Sequence, residues 1–356
     1  MSIPGSHDAM TFNVSDQVAF AAKSQDLNLR GQWNNGIRVF DFRVRNNGSS
    51  VNLYHNFISC NKTFDKSLEE LIELVKEHKT SEGAILIIKT EGNDFADNTS
   101  SFSSLISWLV DMMTDLEINL SSTKLDQGKT LSYIKAIMER KLIYSDSLFI
   151  DFSPNITMGQ LKGHIMVINR NDLDISNSLG ARATGWDLNC KLYDTKTSTV
   201  LNVQDDWGEG KNQSEKEWYT AKYNKFNSLW EQSANTSAED STWYVNAASG
   251  YITELSIFPN YATAAEELYP AFTQTIQSKP NGHGIVLQDY SGCDRTCRIS
   301  AKVTMSIALT TQVLPSFMGI RAKALRLALE GARKIASDDI VRGQQLTNAV
   351  IESNFQ

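Results

Sequence analysis

The sequence predicts an α/β chain folded as a TIM-like (β/α) barrel, distorted or incompletely closed, with a helical extension toward its C-terminal end. Three observations point there. Short runs rich in Val, Ile and Phe recur along the 356 residues without in/out alternation, as strands covered on both faces do. Amphipathic helical patterns lie between them, so strand and helix alternate. Nearly every apolar run also ends in a charge or an amide, which is how a barrel builds its polar floor at the C-terminal ends of its strands.

Taken in order, the buried strands are expected at residues 37–42, 84–88, 165–168, 243–245 and 285–287. The groups that end them are Asp41 and Arg43, Lys89 and Glu91, Arg170, Asn246, and Asp289. Any one of these is explained as the first solvated residue after a strand; five sets together form a ring. Two helices open on capping-box patterns, Ser67 with Glu70 and Ser214 with Glu217. Residues 101–113 and 261–278 also carry helical spacing. Past Pro315 the composition shifts, and Ile320, Leu325, Leu327, Leu329, Ile335, Ile340, Val341 and Leu346 are spaced among charges as on a helix with one apolar face. The expected division is therefore a barrel over 1–315 and a helical extension over 316–356. No glycine-rich phosphate loop follows any strand, so no nucleotide cofactor is expected.

Charge narrows the partners. Thirty-four Lys and Arg against 41 Asp and Glu give a formal net charge of -7, the wrong sign for a nucleic-acid backbone. No run reaches the roughly 18 apolar residues of a membrane span, so any membrane contact is expected to be peripheral. Cys60, Cys190, Cys293 and Cys297 are too few for a disulfide scaffold and too scattered for zinc, and their pairing stays open. Glycosylation sequons begin at Asn13, Asn47, Asn61, Asn98, Asn119, Asn155, Asn212 and Asn235. That is about twice the chance frequency and leans toward secretion, and so toward disulfides.

The first segment carries the most chemistry. Pro4 and Gly5 predict a turn, and His7 and Asp8 follow it as an imidazole beside a carboxylate, a candidate proton-transfer pair. Residues 36–43, GIRVFDFR, and then Leu53, Tyr54 and His55 come next. These three elements in this order resemble the X-domain of the phosphatidylinositol-specific phospholipase C family in its bacterial, single-domain form. Later landmarks match in order: Lys89 and Arg170 at strand ends, the VQDDW of residues 203–207, and the VLQDY of residues 286–290. The resemblance spans residues 1 to about 300, strong at the motifs and loose between them.

The resemblance implies a lyase-type phosphodiesterase. His7, oriented by Asp289, takes the proton of the attacking inositol hydroxyl; His55, with Asp8 behind it, protonates the departing diacylglycerol oxygen. Arg43 meets the charge on the phosphoryl oxygens. Because a guanidinium stands where a calcium-dependent relative needs oxygen ligands, no metal or other cofactor is expected, Asp41 and Glu91 being the carboxylates that would otherwise serve one. Lys89, Arg170 and Asp205 are implied to bind inositol hydroxyls, with Trp207 against the ring face. A monomer acting on phospholipid at a membrane surface follows, as does secretion. Alternatives are a related phosphodiesterase acting on another headgroup, and a catalytically silent lipid- or sugar-binding barrel; the full set of His7, Asp8, Arg43, His55 and Asp289 argues against the silent form. Two departures from the family pattern stand out. Asn56 follows His55 where the family has Gly, and the chain begins close to His7, as a truncated N-terminus would. His78, His164 and His283 match no motif and are expected at the surface or at strand edges.

Overall fold

The computed structural model describes residues 1–15, 19–46, 50–56, 58–91, 127–142, 148–150, 152–171, 181–183, 186, 191–194, 199–207, 214–237, 242–254, 258–293, 296–297, 339–340 and 342–355. The expected helix at 101–113 lies outside them, as do most of the apolar positions expected on the C-terminal helix.

The main sheet is built from β1 (Ser2–Ser6), β2 (Val39–Asn46), β5 (Ala84–Thr90), β6 (Phe149–Ile150), β7 (Ile165–Asn169), β10 (Thr199–Gln204), β11 (Trp243–Ala247) and β14 (Gly284–Gln288). These eight run parallel in the order β6-β7-β5-β2-β1-β14-β11-β10. A hairpin of β3 (Val51–His55) and β4 (Ile58–Thr63) is antiparallel on the end of β2; β8 (Ala181–Arg182) extends the β7 edge and β9 (Lys191–Asp194) the β10 edge. A second small hairpin, β12 (Ile252–Glu254) with β13 (Phe258–Asn260), stands apart from this sheet. Among the described residues no strand pairing joins the two edges of the main sheet, so it curls into a barrel left incompletely closed.

Why the sheet curls with polar groups at one end follows from the two-residue period of strands. Ile3, Val39, Ile85, Ile87, Met166, Ile168, Leu201, Val203, Val245, Ala247, Ile285 and Leu287 pack into one cluster, the barrel interior. Counting on by two from each strand's interior residues reaches His7, then Asp41 and Arg43, then Lys89 and Glu91, Arg170, Asp205, and Asp289. The odd and even sets divide the labour. Phe40, Phe42 and Val44 face the other way, into the cluster shared with Leu68, Leu71 and Val75 of the helix behind them.

The expected turn at Pro4 and Gly5 is corrected by the structure: both are inside β1, paired with Val286 and Leu287 of β14. The Pro4 carbonyl accepts from the Arg38 N–H just before β2 begins to pair, so the missing proline N–H breaks no ladder bond. At Gly5 an added Cβ would stand 2.7 Å from Leu287 Cδ2 and 3.0 Å from Val39 Cβ. Glycine here lets three strands close up; it does not bend one. The turn comes later, at Asp8, whose φ is 45°.

The helices are α1 (Ala19–Ala22), α2 (Leu29–Asn34), α3 (Phe64–Glu77), α4 (Gln127–Leu142), α5 (Met158–Leu161), α6 (Glu215–Ala234), α7 (Tyr261–Ser278) and α8 (Gly343–Glu352). The Ser214–Glu217 capping box opens α6. The Ser67–Glu70 pair does not open α3: Thr63 is the N-cap, and Ser67, a turn inside, donates to the Thr63 carbonyl at 3.0 Å. Thr63 sits at the end of β4, and a Thr followed by Asp65 in the first turn is a weaker helix-start signal than the Ser67–Glu70 pattern that outranks it in the sequence. Ile340, expected on a helix, lies instead in a short strand, β16 (Asp339–Ile340), paired with β15 (Thr296–Cys297). Leu346, Ala349 and Val350 of α8 share a core with Leu268, Tyr269, Phe272 and Ile276 of α7. Asn354, just beyond α8, exchanges hydrogen bonds with the Ser2 backbone at 2.6 and 2.9 Å.

Candidate active site

The strand ends converge on His7. Its Nδ1 lies 2.8 Å from Asp289 Oδ1, and its Nε2 lies 2.7 Å from Arg43 Nη2. A guanidinium only donates, so Nε2 carries the lone pair, and Nδ1 carries the proton given to Asp289. The neutral ring is thereby fixed in one tautomer. The second Asp289 oxygen accepts from the Gly250 N–H at 3.3 Å, and the Tyr269 hydroxyl donates to the Asp289 carbonyl at 2.7 Å. Beneath them the Gln25 amide donates to the carbonyls of His7 and Gln288, at 2.7 and 3.0 Å, holding β1 and β14 together where they end.

Arg43 sits among carboxylates: its Nε is 2.5 Å from Asp8 Oδ1 and 3.2 Å from Asp41 Oδ2, and its Nη1 is 3.3 Å from Glu91 Oε1. His7, Asp8 and Asp41 bring three potential ligand atoms within 4.8 Å of one another, a spacing that would suit a cation. The guanidinium already supplies positive charge to two of them. Burial opposes ionisation of Asp8, yet Arg43 first, then His7 and His55, hold its carboxyl down at about 2. For His7, burial and Arg43 push the pKa down, but Asp8 and Asp289 outweigh them and raise it.

His55 closes the other side. It ends β3, and Asn56 after it takes φ 54°, the left-handed turn that the family's glycine would take. His55 Nδ1 donates to the Ala22 carbonyl at 2.8 Å, while Asp8 Oδ2 stands 3.5 Å away. Asp8 thus faces both imidazoles, being 3.7 Å from His7 Nε2 as well. The Tyr261 hydroxyl lies 3.2 Å from His55 Nε2.

Along the sheet, Arg43 and Lys89 are register partners on β2 and β5. Arg170 pairs with Asp205 at 2.7 Å and lies over the Trp186 ring at 4.6 Å, and the Trp186 indole N–H donates to the same Asp205 oxygen. Burial works against the Asp205 anion, but Arg170 and, more weakly, His7 and Arg43 keep its pKa well below the usual range. Glu91 pulls the Lys89 pKa upward; burial and the cations Arg43 and Arg170 prevail and lower it. Trp207 packs 5.7 Å from the Tyr251 ring. All nine expected site residues therefore lie at one end of the barrel, with His7, Asp8, Arg43, His55 and Asp289 in a single contact network and Arg170 with Asp205 beside it. His78 caps the end of α3, and His164 and His283 directly precede β7 and β14, away from that network.

Several residues of the site carry no sequence signal. Gln25, Tyr251 and Tyr261 lie in segments with no motif, and Trp186 in one without regular pattern. Lys222 is fully buried in α6, where its ammonium donates to Gln204 Oε1 at 3.1 Å and the Asp206 carbonyl at 2.6 Å. Burial lowers its pKa to about 8. A lysine in a helix whose other lysines reach water looks like any surface charge in sequence. Cys60 is a buried free thiol, against the lean toward disulfides for that residue.

No protein-family model matches the chain. Among curated proteins it is 23% identical over 303 residues to a 1-phosphatidylinositol phosphodiesterase of Staphylococcus aureus strain Newman, covering 82% of this chain and 84% of that protein. A protein of the same description from Listeria monocytogenes is 27% identical over 150 residues, 41% of this chain and 44% of that one. Among solved structures, a variant phosphatidylinositol-specific phospholipase C from Staphylococcus aureus superposes with a TM-score of 0.62 at 19% identity, covering 82% of this chain and 85% of that one. The Listeria monocytogenes enzyme superposes at 0.51 and 23% identity, covering 82% and 88%. These superpositions show the fold, a distorted TIM barrel.

Proposed function

We propose that this chain, which belongs with the bacterial phosphatidylinositol-specific phospholipases C, cleaves phosphatidylinositol or a glycosylated derivative of it at a membrane surface, releasing diacylglycerol and a 1,2-cyclic inositol phosphate. The observation that carries the reading is the pair of imidazoles gathered at 3.7 and 3.5 Å from one Asp8 oxygen, one with its Nε2 lone pair facing a guanidinium and the other with its Nε2 aimed at a hydroxyl.

In this reading the inositol 2-hydroxyl gives its proton to His7 Nε2 as its oxygen attacks phosphorus. Asp289 stabilises the imidazolium that forms. Arg43, which in the free site donates to Nε2, turns to the non-bridging phosphoryl oxygens and meets the charge growing there. The bond to the glycerol oxygen breaks, and that oxygen takes a proton from the His55 side, with the Asp8 carboxylate behind the ring. Lys89, Arg170 and Asp205 bind the ring hydroxyls, and Trp207 offers a flat apolar face to the sugar. No metal is needed in this reading, because the Arg43 guanidinium does the work of a cation. A secretory route also belongs to this reading: the sequon residues Asn61, Asn155 and Asn235 are exposed. Among the described residues no helix is long and apolar enough to cross a membrane.

The test follows product on vesicles of phosphatidylinositol by phosphorus NMR, with phosphatidylcholine vesicles beside them. Cyclic inositol phosphate from the first and no product from the second is expected. Turnover of phosphatidylcholine alone would overturn the headgroup assignment, and no turnover of either would remove the enzyme reading.

A further inference from the structure

Both ring nitrogens of His55 already have partners. The residue is 5% exposed; Nδ1 is committed to the Ala22 carbonyl, and Nε2 faces the Tyr261 hydroxyl at 3.2 Å. Tyr261 is the first residue of α7, directly after β13, so helix and strand fix its backbone from both sides. Its ring is 5.5 Å from the His55 ring and 5.6 Å from Tyr251, and Tyr251 in turn lies 5.7 Å from Trp207. Three aromatic rings thus run from the proposed sugar platform to His55, and the last of them ends in a hydroxyl on the reacting nitrogen.

We propose that Tyr261 is a further catalytic residue, the group through which His55 delivers its proton to the leaving oxygen. The inference rests on the phospholipase reading. His55 enters the step as the imidazolium, Nδ1–H on the Ala22 carbonyl and Nε2–H on the Tyr261 oxygen; as the bond from phosphorus to the glycerol oxygen breaks, that oxygen takes the Tyr261 hydroxyl proton, and the Tyr261 oxygen takes the proton on His55 Nε2. The phenol ends as it began; His55 is left neutral and the alcohol leaves protonated. A direct transfer from Nε2 would require the Tyr261 hydroxyl to move off that nitrogen. Burial raises the Tyr261 pKa well above 10, so the hydroxyl keeps its hydrogen at neutral pH and does not become a competing anion beside Asp8.

The experiment compares Tyr261→Phe with wild type on phosphatidylinositol and on an inositol phosphate ester of nitrophenol, a leaving group that needs no acid. A relay predicts a loss of at least about tenfold in kcat on the lipid, shrinking to less than about threefold on the nitrophenyl ester. His55→Ala should show the same pattern, and the double variant on the lipid should lose no more than His55→Ala alone, because the two act in series. Inhibition by free myo-inositol should be unchanged in Tyr261→Phe, which establishes that the variant keeps a formed site. Equal losses on both substrates, or weakened inositol binding, would make Tyr261 a shape-holding residue and overturn the proposal. So would lipid turnover equal to or faster than wild type, which would make the hydroxyl a cover that substrate displaces. If wild type itself releases no cyclic phosphate, the phospholipase reading fails first; if wild type does and Tyr261→Phe matches it, only the relay fails.

Discussion

Replacing Asp289 with Asn tests the site at its most determined point. The change keeps shape and removes one charge, and the surroundings dictate how the new amide must lie. The Gly250 N–H already donates to Oδ2 at 3.3 Å, so the amide oxygen belongs there, leaving the NH2 group toward His7 Nδ1. A donor at that position forces Nδ1 to accept and moves the ring proton to Nε2. There it meets Arg43 Nη2, another donor, at 2.7 Å. The base is lost twice over: its lone pair faces the wrong way, and the imidazolium it must become has no carboxylate behind it. In serine proteases the same change to a His–carboxylate pair, leaving the wrong tautomer, costs about 10⁴ in rate. About 10³ to 10⁴ in kcat is expected here, or about 4 to 5 kcal/mol of barrier. Asp289→Ala, which imposes no tautomer, should be no worse than Asp289→Asn. The assay is cyclic phosphate release from phosphatidylinositol vesicles, with thermal unfolding of each variant measured alongside. Asp289→Asn within tenfold of wild type would refute this orientation of His7.

Other outcomes follow from the same contacts. Since the His7 pKa is raised and the ring must be neutral to act as base, kcat/KM should fall on the acid side with a midpoint above the ordinary 6.5; a midpoint below about 6 would remove His7 as the base. The Asp8 carboxyl, at about 2 in the folded chain against 3.8 unperturbed, contributes stability that is complete above about pH 4 and lost as pH falls toward 2, so Tm should drop less steeply over that window in Asp8→Asn than in wild type. Activity should persist in excess EDTA, and loss on chelation restored by Ca²⁺ would assign Asp41 and Glu91 to a metal. Gly5→Ala should destabilise by about 1 to 3 kcal/mol in thermal or denaturant unfolding, as the added methyl meets Leu287 and Val39; an unchanged Tm would show that the strands have room to part.

What can be read from the sequence divides along a physical line. Runs of buried Val, Ile and Phe locate β2, β5, β7, β11 and β14, because a strand covered on both faces cannot hide its composition. The charged residues at their ends are legible for the same reason: a charge after an apolar run is conspicuous. Their common direction is also written there, as the two-residue step from Ile285 and Leu287 to Asp289, and from Val39 and Asp41 to Arg43. Strand β1 reads as a turn because Pro4 and Gly5 usually mark one; only the register with β14 shows that the proline loses no bond and that the glycine serves close packing. Thr63 is masked by a stronger pattern nearby, and Tyr261 is invisible. One caps a helix that a capping-box pattern four residues on also claims, and the other reaches a histidine 206 residues away, a relation that leaves no local trace.

The register of β1 also sets when the proposed site can first assemble. His7 directly follows the earliest of the described strands to be synthesised, and its carboxylate partner follows 282 residues later. At about 5 to 20 residues per second, synthesis leaves the base without Asp289 for about 15 to 60 s. Through that interval β1 has β2 on one side and an empty edge on the other, since its second ladder is made with residues 284–288. Neither half of the nascent chain can assemble the site, which is complete only when β14 docks beside β1 and brings Asp289 to His7.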